Sequence, residues 1–390
     1  MKKFKALIMS DLHASKVEND DSYLVLNDDK FWVKSFIKYA KTVASDIDAI
    51  ICAGDISNKG CSESLHSGWE FINELSEELN NKKILCVPGN HDHQSRKYEL
   101  SPMHEIKHRL ANFPASCFNK NTHFWAWNWM HEEEDSYNCI LINTSAYHGY
   151  GDTEYIHGRV SIETVDQIFD YIKKSESFNR EKLNILLCHH HPQKMDFVDH
   201  SYDNESMIGG DYLLSKLQDT DVGQWLVIHG HKHFSNISYG ASSSSQKPII
   251  ISSASLSAKL YNLIQSRTSN QFYILEVHMD SLIADEKIRG TINCHEWNYT
   301  NGWHPSKSTH TPAVSGFGED LDFSKVRKIL RDAFENQQHY ITVSESSELE
   351  EMIKYLVPKD IEKLTRKLKE DGYEVIMKDH SIEQIGALKK

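Results

Sequence analysis

The chain has 390 residues, a formal net charge of −13, 39% hydrophobic and 25% charged residues, an ordinary globular composition. That excludes a disordered or collagen-like chain, and at about 150 residues per domain the length predicts two domains. The acidic balance argues against a general nucleic-acid coater, because phosphate neutralisation needs clustered Lys and Arg, although a local basic groove stays open.

Short β-like apolar runs alternate with helix-like segments, the pattern of an α/β fold. The first run, Ala6-Leu7-Ile8-Met9, ends in Ser10-Asp11-Leu12-His13. Residues 30–45 then read as a helix, with Phe31, Val33, Phe36, Ile37 and Ala40 near helical spacing. Ala49-Ile50-Ile51-Cys52-Ala53 ends in Gly54-Asp55, and a helix over 64–79 leads to Ile84-Leu85-Cys86-Val87, which ends in Pro88-Gly89-Asn90-His91-Asp92.

The middle reads as a β-hairpin, residues 124–129 against 138–143. Trp125, Trp127 and Trp129 would then face one side of a strand, as core packing or as a stacking platform for bases. Acidic Glu132-Glu133-Glu134-Asp135 reads as a solvated turn. A helix over 161–176 precedes Ile185-Leu186-Leu187-Cys188 and His189-His190-His191-Pro192. A helix over 210–218 precedes Trp225-Leu226-Val227-Ile228 and His229-Gly230-His231-Lys232-His233. Two more strands follow, at 248–251 and 272–277.

Residues 305–318, rich in Ser, Thr, Pro and Gly, read as a linker between a catalytic domain over 1–304 and a charged unit over 319–390. Helix-like stretches and the short run Tyr373-Glu374-Val375-Ile376-Met377 make that unit a small helical or α+β appendage. It is a candidate dock for a protein partner or a second copy.

No run of ~18 apolar residues predicts a membrane span. The basic start Met1-Lys2-Lys3-Phe4-Lys5 is followed by an apolar stretch cut short at Asp11, unlike a signal peptide. Seven cysteines form no CxxC pair, and several sit in apolar runs, as reduced buried thiols do; a cytoplasmic setting is expected.

Five strand-like runs thus end in metal-capable side chains: Asp11 with His13, Asp55, Asn90 with His91, His189, and His231 with His233. Groups just beyond the carboxyl ends of strands collect in one place in α/β sheets. Gly54, Gly89 and Gly230 precede ligand candidates where the chain must turn sharply. Mixed imidazole, carboxylate and amide donors suit Mn, Fe, Zn or Co, and so many donors exceed one four-coordinate zinc. Two ions about 3.5–4 Å apart sharing a carboxylate fit better.

In order, Asp11-x-His13, Gly54-Asp55, Gly89-Asn90-His91-Asp92, His189-His190-His191-Pro192 and Gly230-His231-x-His233 resemble the motifs of calcineurin-like metallophosphoesterases, over about residues 5–280. The resemblance implies a four-layer α/β/β/α sandwich of two mixed sheets with a two-metal site at the sheet edge. It implies that Asp11, His13, His233 and the shared Asp55 hold one ion, and Asp55, Asn90, His189 and His231 the other. His189 is chosen over His190 because it comes first after the strand. A metal-bridging hydroxide would attack phosphorus, and His91 would assist the leaving oxygen.

The His-His-His-Pro form looks like bacterial cyclic-nucleotide and glycerophosphodiester phosphodiesterases. Phosphoprotein phosphatases carry an Arg after Gly-Asp, whereas this chain has Ile56-Ser57-Asn58-Lys59-Gly60. The expected substrate is therefore a phosphodiester, of a nucleotide or other small molecule. A nuclease acting on DNA or RNA is the rival. It needs a basic surface, which Asp20, Asp21, Asp28, Asp29 and the acidic turn oppose. A third possibility is a subunit recruited to a larger complex through 319–390.

Overall fold

The computed structural model describes residues 2–16, 21–25, 31–94, 101–149, 157–195, 206–241, 246–335 and 339–387. Asp20, Asp28 and Asp29 lie outside the described residues; Asp21 is described.

The first sheet begins as a β-α-β-α-β run. Strand β1 (Lys3–Met9) is followed by helix α1 (Phe31–Val43), β2 (Ala49–Cys52), α2 (Ser62–Glu78) and β3 (Lys83–Cys86). Crossover helices make β1, β2 and β3 parallel neighbours, so all three carboxyl ends point the same way. Helix α1 forms because Trp32, Val33, Phe36, Ile37 and Ala40 recur on one buried face.

The second sheet follows α3 (His104–Arg109) and α4 (Phe118–Trp127). It comprises β4 (Trp129–Glu133), β5 (Tyr137–Ile142), β6 (Leu183–Leu187), β7 (Trp225–His229), β8 (Asn236–Tyr239) and β9 (Ile249–Ser252), in the order β4-β5-β6-β7-β9-β8. Helices α5 (Ile162–Lys174) and α6 (Gly210–Gln218) link β5 to β6 and β6 to β7, again giving parallel neighbours. After α7 (Asn262–Gln265), the chain returns to the first sheet through β10 (Asn270–His278), antiparallel to β1. It continues through α8 (Met279–Asp285), β11 (Gly290–Asn298), β12 (Gly302–Pro305) and β13 (Val314–Phe317).

Alternation along β5 defines the layers. Cys139 and Leu141 enter the core shared with the first sheet, while Ile140 and Ile142 pack with Val165, Ile168 and Leu213 from α5 and α6. Sheets face one another and helices cover their outer faces, so the fold is a mixed α/β sandwich.

Three local readings need correction. Residues 124–127 are helical: Phe124 and Trp125 are buried on α4, Trp125 donates to the Phe113 carbonyl, and Asn128 ends the helix at φ 63°. Trp129 starts the strand, so the three tryptophans share no strand face. Glu132 is buried on β4, its carboxylate 2.8 Å from both Lys83 and Lys120, rather than in a solvated turn. Within 305–318, β13 pairs with β11, so this stretch extends the first sheet instead of running free.

The remaining elements are α9 (Phe323–Glu335), β14 (Tyr340–Thr342), α10 (Ser347–Lys354), α11 (Pro358–Glu370), β15 (Tyr373–Lys378) and β16 (Ser381–Ala387). They form a core of their own around Val326, Leu330, Leu349, Leu364, Leu368 and Ile385. Leu364 is fully buried there. Leu364→Ala should cost about 2–5 kcal/mol in chemical denaturation of this unit. A loss under about 1 kcal/mol would contradict the packing described.

Candidate metal centre

The carboxyl ends of β1, β2 and β3 meet those of β6 and β7 at the seam between the sheets. Backbone ladders align the loops. Asp11 N–H donates to the Gly54 carbonyl and His13 N–H to the Asp55 carbonyl, both at 2.9 Å. Gly230 N–H donates to the His189 carbonyl at 3.0 Å, and His231 N–H reaches the Asp11 carboxylate at 3.1 Å, tying one sheet to the other.

All seven residues expected as ligands come together. His13 Nε2 lies 3.0 Å from His233 Nε2, and His233 Nε2 lies 3.3 Å from Asp11 Oδ1. His189 Nε2 is 3.1 Å from Asn90 Oδ1, which is also 3.1 Å from His231 Nδ1. Asp55 Oδ2 stands between the groups, 3.5 Å from His13 Nε2 and 3.3 Å from His189 Nε2. Donors bound at about 2.1 Å to one ion are about 3.0–3.4 Å apart in octahedral or tetrahedral arrangements. The spacings match, so the donor set fits two cations.

His189 and His190 are distinguished by their partners. His189 Nδ1 meets the Ala53 carbonyl at 2.7 Å, leaving Nε2 for the cluster. His190 Nδ1 instead pairs with Thr144 Oγ1 at 2.8 Å, although its ring still approaches His189 and His231 closely enough to form a group with them. His91 sits beside the cluster, its N–H donated to Asp55 Oδ1 at 2.7 Å and its ring edge-on to His13. His93 is buried, with Nδ1 at the Gly89 carbonyl, whereas His66 is on the surface beside Glu70.

Burial raises the pKa of Asp55, but the adjacent His189 and His91 outweigh it and hold the carboxyl well below its usual range. Burial pulls His189 down, and Asp55 beside it pushes it up to about 9. Burial alone dominates at His91, which falls to about 3.

Sequence reading gave no role to several supporting groups. Asp92 clamps two loops, accepting Ser57 N–H at 2.7 Å and Gly89 N–H at 2.8 Å. Its place in Gly89-Asn90-His91-Asp92 was the available signal. Ser255 and Ser257 donate to the Asp11 and Leu12 carbonyls at 2.6 Å, from a serine-rich loop after β9 with no distinguishing spacing. Glycines make room. A Cβ on Gly89 would overlap the Asp55 carboxylate, and one on Gly230 would overlap Ser10 and the Asp11 carboxylate.

Residues 4–238 match the calcineurin-like phosphoesterase family. No curated protein sequence matches the chain. Among solved structures, a purple acid phosphatase from yellow lupin (Lupinus luteus) seeds has a TM-score of 0.50 at 14% identity, covering 84% of this chain and 55% of that one. A dimetal phosphatase from Danio rerio gives 0.48 at 11% identity, covering 75% and 95%. At 14% identity the likeness to the lupin enzyme is one of fold alone. The family uses two divalent metals, and the His and Asp groups described above are placed to bind them. The chain belongs to the calcineurin-like phosphoesterase family.

Proposed function

We propose that the chain hydrolyses phosphodiesters with two divalent transition-metal ions. The observation that carries this reading is Asp55, whose Oδ2 faces both donor groups within 3.5 Å. Asp11, His13, His233 and Asp55 would hold one ion, and Asp55, Asn90, His189 and His231 the other. The mixture of imidazole, carboxylate and amide suits Mn, with Fe, Zn or Co as substitutes. Bound there, the ions would offset phosphate charge and supply a water acidic enough to attack phosphorus near neutral pH.

His91 acts from the chain itself. Its half-buried ring keeps Nδ1 without a hydrogen-bond partner among the described residues, placed to offer an N–H to the leaving oxygen. As charge develops on that oxygen, this N–H would stabilise it as a hydrogen-bond donor.

Charge separates a diester from a monoester. A diester is a monoanion, while a terminal phosphate carries about −1.5 to −2 at pH 7. Residues 56–60 offer one cation, Lys59, and it is already 3.0 Å from Asp21. With Lys59 already paired, residues 56–60 add no further cation for a dianion, which favours the less charged diester.

Metal-reconstituted protein should contain two ions per chain by elemental analysis. Asp55→Ala should lose both, and Gly89→Ala should do likewise by displacing the same carboxylate; a variant that keeps two ions contradicts the shared role. His91→Ala should keep its metal and lose roughly 10²–10⁴-fold in kcat on a diester with a poor leaving group. The loss should shrink with p-nitrophenol as leaving group, and equal losses on both would remove His91 from that role.

A further inference from the structure

Residues 323–387 run helix, strand, two helices and a hairpin, with strand order β14-β16-β15. Helices α10 and α11 are separated only by Tyr355-Leu356-Val357, the spacing of a helix-turn-helix. Ile361, Leu364 and Leu368 of α11 face the core shared with α9 and α10. Its opposite stripe is therefore set outward. There Lys359, Lys363 and Arg366 follow at i, i+4 and i+7, all exposed, with Glu362 beside them and Glu370 at the far end. The neighbouring α10 instead carries Glu348, Glu350 and Glu351 with a single Lys354, so α11 is the more cationic of the two helices.

Two further features agree. The hairpin turn beyond β15 is exposed and carries Lys378 and His380 around Asp379. On α9, Lys328 and Arg331 line a groove of about 890 Å³ with Tyr373 and Asp371. The start of α11 also meets the main body: Pro358, Lys359 and Glu362 line a small cavity with Phe234, Ser235 and Asn236, the residues that follow His233 in the chain.

We propose that residues 323–387 dock duplex DNA, with α11 as the helix entering the major groove, and that this DNA is the phosphodiester presented to the metal centre. A row of exposed cations along a helix complements a phosphate backbone, and the B-form major groove, about 12 Å wide, admits an α-helix. An RNA duplex does not, because its major groove is too narrow. The outward stripe of α11 has no aromatic residue on which single-stranded bases could stack. A local basic helix also reconciles nucleic-acid contact with the net charge of −13. The substrate half of the proposal rests on the phosphodiesterase reading; the docking half does not.

The test uses the full chain and a fluorescein-labelled duplex of about two helical turns, followed by anisotropy in EDTA between about 50 and 200 mM salt. The doubly substituted Lys363→Glu, Arg366→Glu protein should bind at least about tenfold more weakly, and Lys363→Ala should reduce the salt slope by about one. Both should hydrolyse bis(p-nitrophenyl) phosphate as the parent does, which shows that they are folded. Equal binding by parent and variants, preference for the single strand, or a change in sedimentation state without a change in DNA affinity would overturn docking. Adding Mn²⁺ tests the substrate half: cleavage of the bound duplex is expected. An intact duplex alongside bis(p-nitrophenyl) phosphate turnover overturns that half alone. Loss of turnover on both substrates instead overturns the phosphodiesterase reading, while the anisotropy still decides docking.

Discussion

The centre of the molecule depends on two carboxylates, Asp11 and Asp55, buried at the seam between two sheets with 0% and 2% of their surface exposed. Burying a charge of this size costs several kcal/mol unless it is compensated. Imidazoles and backbone N–H groups are what the fold aims at them: His91 N–H at Asp55, His231 N–H at Asp11, and the rings of His13, His189 and His233. Such a cluster is stable only if the loops hold every donor in place. Asp11, His13, Asp55, His231 and His233 all adopt left-handed backbone, with φ between 48° and 77°. Strain of about 1–3 kcal/mol at such a residue persists only where surrounding structure over-determines it, as the cross-loop ladders do here.

The layered fold follows the same constraint. Parallel strands in each sheet point their carboxyl ends to one edge, and two such edges meeting give one cluster from loops up to 222 residues apart, Asp11 to His233. The carboxyl-terminal unit packs its own core, yet it touches the main body through Val357, which joins the large core, and through the first turn of α11 beside Phe234.

The strand ends and their ligand candidates were legible because each motif follows a short apolar run whose direction is set by crossover helices. What escaped reading was set by distant partners. Aromatic alternation at Trp125, Trp127 and Trp129 suggested a strand, but Phe124 and Trp125 bury themselves by helical spacing, and Phe113 supplies the carbonyl for Trp125. Glu132 looked like surface because Lys83 and Lys120, which surround it, are 49 and 12 residues away. The glycines were expected to turn the chain. Only Gly54 does so, at φ 93°, whereas Gly89 and Gly230 are needed for space around the carboxylates. The row of cations on α11 was hidden in a charge-rich segment until Ile361, Leu364 and Leu368 fixed which face is inward.

The shared carboxylate is the central claim, and electron paramagnetic resonance of the Mn²⁺-loaded protein tests it most directly. One carboxylate joining two ions predicts a magnetically coupled pair at two equivalents of Mn²⁺, with little isolated-ion signal at any stage of loading if the sites fill together. Two independent six-line signals, or saturation at one ion per chain, would contradict it.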